Sequence, residues 1–193
     1  MLSRGKLVFV TGAARSGKSF FAENMAAQLA GQVTYIATCV PGDDEMRDRV
    51  ARHQDRRPAN WQTIEEAFNP AQVIKEFDGS GKIFLLDCLT LLVSNLILQP
   101  DMLPGEEQVL DKVFELAKVS YESAAHVIIV SNEVGWGIVP GDALSRLYRD
   151  IIGRANQKIA AYADEAYVTI AGIPIELKAL AKEMAICSIK GTD

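Results

Sequence analysis

Hydrophobic and polar positions along the chain change period several times. Residues 6–12, "KLVFVTG", are a short β-branched and aromatic run closed by glycine, which predicts a buried strand. Residues 18–31, "KSFFAENMAAQLAG", carry apolar residues at helical spacing and close on Gly31. "QVTYIAT" predicts a second strand, and residues 43–55 a helix whose acidic start, Asp43, Asp44 and Glu45, suits a helix N-terminus. "KIFLLDCLTLLVSNLI" begins as a strand and leaves it after Asp87 for a helix or loop. Residues 99–105 predict a loop, 106–121 an amphipathic helix, and "HVIIVSNEVG" another buried strand. A long helical pattern over 141–165 has Gly153 as its weak point, and "AYVTIAGIPIEL" predicts a last strand. Strands alternating with helices in this way predict an α/β fold, a mostly parallel sheet with helices on both faces.

Composition narrows the picture. A chain of 193 residues with 49% apolar and 23% charged residues has the profile of one folded domain, so 1–193 is read as a single unit. With 20 basic against 25 acidic residues the net charge is −5, which disfavours a nucleic-acid partner. No apolar stretch reaches the ~18 residues of a membrane span, and the N-terminal apolar run is too short for a signal peptide. Cys39, Cys88 and Cys187 are widely spaced and form no metal-binding pattern. Free thiols in a reducing compartment, the cytoplasm, are therefore expected.

The first chemistry lies between the first strand and the first helix. "GAARSGKS", Gly12 to Ser19, fits G-x-x-x-x-G-K-[ST] in the strand–loop–helix context a phosphate loop requires. Gly12 and Gly17 let backbone N–H groups converge on phosphate oxygens around Ala13, Ala14, Arg15 and Ser16. The helix that follows presents unpaired N–H groups and the positive end of its dipole. Lys18 is placed to reach β- and γ-phosphates, and Ser19 to ligate Mg²⁺. Asp87, ending an apolar strand, has the position of a second metal-associated acid or of a helix cap. A guanine-reading Asn-Lys-x-Asp string is absent, and the D-x-x-G letters at Asp150–Gly153 fall inside a helical pattern. A GTPase switch is disfavoured, leaving an enzyme that uses nucleotide on a small molecule.

Residues 45–61, "EMRDRVARHQDRRPANW", put His53 among five arginines. Nearby positive charge lowers an imidazole's pKa and keeps its lone pair free, as a nucleophile requires. Arginines converging there would also hold phosphate oxygens. A helix C-terminal dipole acts in the opposite sense, and an exposed histidine on a basic helix is the plain alternative. His126, just before a strand, is expected to be structural.

"GAARSGKS", "YIAT", "DDEMRDRVARHQDRRPANWQTIE", "LLDCLTLLVSNL" and the run from "SNEVGWGIVP" to "AGIPIELK" together resemble the bifunctional adenosylcobinamide kinase/adenosylcobinamide-phosphate guanylyltransferase family over residues 7–178. The resemblance implies a RecA-like P-loop fold and two reactions. ATP or GTP phosphorylates the aminopropanol hydroxyl of adenosylcobinamide, a corrinoid. GMP then passes from GTP to that phosphate through a GMP–histidine intermediate, with pyrophosphate released. His53 matches the histidine. The resemblance also implies Mg²⁺, a homotrimer, and nucleotide contacts at the phosphate loop, Thr38, Arg56, Arg57, Pro58, Glu65 and Asp87. Either Glu65 or Asp87 can read guanine, the other serving the metal. Relatives usually open the loop with Gly-Gly; Ala13 is harmless here if its φ is negative and otherwise costs about 1 kcal/mol. Two alternatives stand beside this reading: a monofunctional small-molecule kinase, and a nucleotide-binding regulatory protein without turnover.

Overall fold

Seven strands carry most of the apolar runs: β1 (Leu7–Gly12), β2 (Gln32–Ala37), β3 (Gln62–Glu65), β4 (Lys82–Asp87), β5 (His126–Val130), β6 (Glu165–Ile170) and β7 (Ile173–Glu176). The computed structural model describes residues 4–42, 44–55, 57–99 and 105–184. The strands form one sheet in the order β3-β2-β4-β5-β1-β6-β7, parallel throughout except that β6 and β7 are antiparallel. All of β1 is buried, and β4 and β5 are buried over most of their length, as central strands covered on both faces must be.

Alternation along the strands divides the core in two. Leu7, Phe9, Phe84, Leu86, Val127 and Ile129 face α3 (Pro70–Phe77), α4 (Leu89–Ile97), α5 (Glu106–Glu122) and α6 (Ala143–Tyr162). Their neighbours Val8, Val10, Ile83, Leu85, Ile128 and Val130 pack instead on Ala22 and Ala26 of α1 (Lys18–Gln28). Two further α-helices among the described residues are α2 (Asp44–Asp55) and α7 (Leu177–Glu183).

Three features depart from the pattern reading. Residues 166–177 are not one strand but a hairpin, turned at Ala171 (φ 51°) and Gly172 (φ 83°). Two successive positive φ values match the tight turn that suits twisted antiparallel strands. β3 and α3 were not among the expected elements: α3 is a short eight-residue helix that buries Ala71, Val73 and Ile74, and β3 is "QTIE", mostly exposed and held by its pairing with β2. The helix over 143–162, by contrast, runs unbroken through Gly153. Ile151, Ile152, Ala155 and Ile159 are buried on its inner face and offset the roughly 1 kcal/mol helix penalty of one glycine. Asp150–Gly153 lies within this helix, as expected. His126 accepts the Lys6 N–H at Nδ1, 3.1 Å, in the structural role expected of it. Neither Cys39 nor Cys88 is in a disulfide, and Cys187 lies outside the described residues.

Candidate active site

The phosphate loop joins the end of β1 to the start of α1. Gly12 (φ 155°) and Gly17 (φ 94°) take conformations that favour glycine, and a Cβ on Gly12 would meet the Thr169 carbonyl oxygen at 2.6 Å. Among the described residues only Arg15 and Ala171 combine a side chain with positive φ, so Ala13 meets the condition that makes it harmless. No side chain caps α1, which leaves its first N–H groups facing the loop. Ser16 N–H donates to the Ala13 carbonyl (3.2 Å), and so does Lys18 Nζ (3.3 Å). Ser16 Oγ is buried without a hydrogen-bond partner.

Two neighbours brace this loop. Gly172 N–H, in the β6–β7 turn, donates to the Ser16 carbonyl at 2.9 Å, and Gly172 Cα would lie 3.2 Å from a Cβ on Gly17. On the other side, Glu133 N–H donates to the Gly12 carbonyl (3.1 Å). The Glu133 carboxylate accepts from Thr11 Oγ1 (2.7 Å) and Asn156 Nδ2 (3.1 Å). Asn156 in turn accepts from Ser131 Oγ at 2.6 Å, so α6 is tied to the end of β5 and through it to the loop.

Beside the loop, at the carboxyl ends of the strands, opens a cavity of about 270 Å³. That is where ligands enter open α/β sheets. Lys18, Ser19, Arg57, Glu65 and Asp87 line it together, although they come from four different parts of the chain. Val50 and Gln54 of α2 join them, as do Tyr35, Cys39, Asn132 and Tyr148. Asp87 sits two strands from β1, with β5 between, which separates their ends by roughly 10 Å.

Tyr35 links the acidic and basic walls. Its hydroxyl donates to Asp87 Oδ2 at 3.0 Å, and the Arg57 guanidinium carbon lies 3.4 Å from its ring centroid. Among the described residues Arg57 Nε is buried without a partner, and its Nη1 donates a long 3.4 Å hydrogen bond to Thr63 Oγ1. Burial, then the Asp87 charge, pushes the Tyr35 hydroxyl well above its ordinary value, so it stays a donor at neutral pH. Burial likewise pushes the Cys88 thiol up to about 11 and the Tyr148 hydroxyl up to about 12. A second cluster centres on Thr90. Asn132 Nδ2 donates to its Oγ1 (2.7 Å), Tyr148 Oη donates to its carbonyl (3.1 Å), and the Cys88 sulfur lies 2.9 Å from its Oγ1.

The other expected site residues fall in several places. Gly12 to Gly17 form the loop beside the cavity wall. Pro58 is exposed and does not line the cavity. Thr38 is wholly buried: its hydroxyl both accepts from Cys88 N–H and donates to the Cys88 carbonyl, each at 2.8 Å, tying β2 to β4. Its neighbours Ala37 and Cys39 line the cavity instead. The backbone of His53 lies on α2 between Val50 and Gln54; its side chain, and all of Arg56, lie outside the described residues. Tyr35, Asn132, Glu133, Tyr148 and Asn156 escaped the residue-by-residue reading. Their one signal was membership of the quoted segments "YIAT" and "SNEVGWGIVPGDALSRLYRDIIGRANQ".

Similarity to known proteins follows these segments. A family described as cobinamide kinase / cobinamide phosphate guanyltransferase matches residues 8–177. The chain is 42% identical over 171 residues to the bifunctional adenosylcobalamin biosynthesis protein CobP of Pseudomonas aeruginosa, covering 88% of this chain and 95% of that one. It is 40% identical over 181 residues to the bifunctional adenosylcobalamin biosynthesis protein CobU of Salmonella typhimurium, covering 89% and 99%. Among solved structures, the assembled ATPase EscN of the enteropathogenic E. coli type III secretion system matches with a TM-score of 0.58 at 12% identity, over 94% of this chain and 45% of that one. The Pyrococcus horikoshii OT3 protein PH0250 matches with a TM-score of 0.51 at 7% identity, over 91% and 87%. These structural likenesses concern the fold, which is RecA-like.

Proposed function

The chain belongs to the cobinamide kinase / cobinamide phosphate guanyltransferase family, and from that premise we propose that one cavity serves both transfers, with His53 carrying GMP between them. The enzyme phosphorylates a cobinamide and then guanylylates the phosphate. The observation that carries the one-cavity reading is the shared wall: Lys18 and Ser19 of the phosphate loop, Arg57, Glu65 and Asp87 surround a single space.

In the kinase step the loop N–H groups and Lys18 hold the β- and γ-phosphates, and a phosphate oxygen is the partner Ser16 Oγ lacks. The aminopropanol hydroxyl attacks the γ-phosphorus, the bond to the bridging oxygen breaks, and the nucleoside diphosphate leaves with the hydroxyl proton released. Among the described residues no group of three or more His, Cys, Asp or Glu could hold a metal ion alone. A hydroxyl and a carboxylate in one cavity do fit Mg²⁺, which takes few protein oxygens and completes its shell with phosphate and water. Ser19 and Asp87 would hold it, and when bound it offsets charge on the phosphates.

In the transferase step the neutral His53 imidazole attacks the α-phosphorus of GTP and pyrophosphate leaves. An oxygen of the corrinoid phosphate then attacks the same phosphorus, the P–N bond breaks, and His53 is restored. The Tyr35 ring behind Arg57 and its unpaired Nε support a role for Arg57 in holding phosphate oxygens, and family resemblance adds Arg56, the preceding residue in sequence. With Asp87 serving the metal, Glu65 is left to read guanine by accepting from N1–H and the exocyclic amine. Family resemblance alone adds a cytoplasmic homotrimer and use of ATP or GTP in the first step. Among the described residues no helix is long and apolar enough to cross a membrane.

The test is mass spectrometry of the corrinoid after incubation with adenosylcobinamide, Mg²⁺ and GTP. The reading requires a phosphorylated corrinoid followed by a GDP-linked one. A phosphorylated product that never advances would leave a monofunctional kinase.

A further inference from the structure

A corrinoid is far larger than the arm that carries its reacting hydroxyl. A cavity of about 270 Å³ that must also admit a nucleotide has no room for the macrocycle. Only the arm enters, so the ring has to rest on the rim.

One stretch of rim has the matching character. The chain leaves the cavity wall at Asn132, beyond β5, and returns to it at Tyr148, in α6. Between them Trp136 is 59% exposed, Ile138 96%, Val139 60%, Leu144 51% and Leu147 41%. Single exposed apolar residues are ordinary, but five along one short stretch opening on a reaction cavity are not. The stretch is also held in shape. Val134 packs on the core, Arg146 Nη1 donates to the Pro140 (3.0 Å) and Gly141 (2.7 Å) carbonyls, and Asp142 accepts from Ser145 N–H (2.8 Å). A Cβ on Gly135 or Gly137 would meet nothing within 4 Å, so open space flanks the indole on both sides along the chain.

We propose that residues 134–147 form the platform for the corrin macrocycle. Trp136, Ile138 and Val139 take an apolar face of the ring, while its arm passes Asn132 into the cavity. An indole offers a broad apolar face together with an N–H for one of the ring's amide substituents. The inference rests on the cobinamide reading above, since only a substrate with a large, flat, apolar body calls for such a surface.

The experiment compares wild type, Trp136→Ala and Ile138→Ser by three measurements: KM for adenosylcobinamide and for nucleotide in the kinase reaction, GMP attachment to the protein without corrinoid, and molar mass by light scattering. Both side chains lie outside the core, so folding is not at stake. Loss of Trp136 is expected to raise the corrinoid KM roughly tenfold, with Ile138→Ser in the same direction and smaller. Nucleotide KM, GMP attachment and molar mass should not move. An unchanged corrinoid KM in both variants overturns the platform and leaves the family reading intact. A changed molar mass also overturns it, by making the surface a contact between copies of the chain. A wild type that turns over no cobinamide would remove the functional reading, and the platform with it.

Discussion

Tyr35 shows how much chemistry one strand residue can organise. Its ring supports Arg57, its hydroxyl orients Asp87, and burial keeps its proton in place. Tyr35→Phe keeps the ring and deletes one hydrogen bond, worth about 1 kcal/mol, so kinase turnover should fall roughly fivefold to tenfold. The half-saturating Mg²⁺ concentration should rise, while the melting temperature falls by no more than about 2–4 °C. Turnover unchanged at every Mg²⁺ concentration would mean that Asp87 does not depend on Tyr35 for its orientation. Nothing in the letters marks this residue, because a tyrosine in "QVTYIA" reads as ordinary strand composition. Lys18 and Ser19 were legible because phosphate binding requires a fixed string of residue types. Thr38 was expected at the site only by resemblance; it is buried beside the cavity without lining it, and its hydroxyl is engaged with the Cys88 backbone.

At the scale of elements, the β6–β7 hairpin holds the phosphate loop from outside the cavity, through Gly172 and Ser16. The turn was hidden because "AYVTIAGIPIEL" stays apolar through it, with a lone glycine as its only punctuation. Ala171 sits at φ 51°, where a Cβ is unfavourable by about 1 kcal/mol. Ala171→Gly should therefore raise the melting temperature by about 2–4 °C. A lower value would mean that the glycine's extra freedom in the unfolded chain outweighs the relief. The start of β1 depends on Asp164, whose carboxylate accepts Leu7 N–H at 2.8 Å and pairs with Arg4. The Arg4 hydrogen bond, working against partial burial, holds this carboxyl below its ordinary value of 3.8. A depressed carboxyl contributes its stability in full above the unfolded value and loses it as pH falls through the folded one. Asp164→Asn should thus destabilise by about 2 kcal/mol at neutral pH. The difference from wild type should shrink in melts taken at progressively lower pH below 3.8. A difference that persists there would assign Asp164 a role other than its charge.

At the scale of the whole molecule, the sheet order brings the site together. Placing β2 beside β4, and β5 between β4 and β1, gathers Arg57, Glu65, Asp87 and Lys18 around one cavity. Strand and helix alternation made a parallel sheet legible, since parallel strands need crossovers. Strand order was not legible, because it depends on pairings between segments far apart in sequence, such as Ile83 with His126. β3 was missed for a related reason: it is polar and exists through its pairing with β2, not through its own pattern. In the function proposed above, this one cavity moves GMP through His53, on the helix that forms part of its wall. The most direct test mixes the protein with Mg²⁺ and GTP labelled at the α-phosphate, without corrinoid, in wild type and His53→Ala. Protein-bound label is expected on wild type alone, released by acid and stable to alkali, as a phosphoramidate is. No label on wild type while GTP demonstrably binds, or equal label on both, would contradict it.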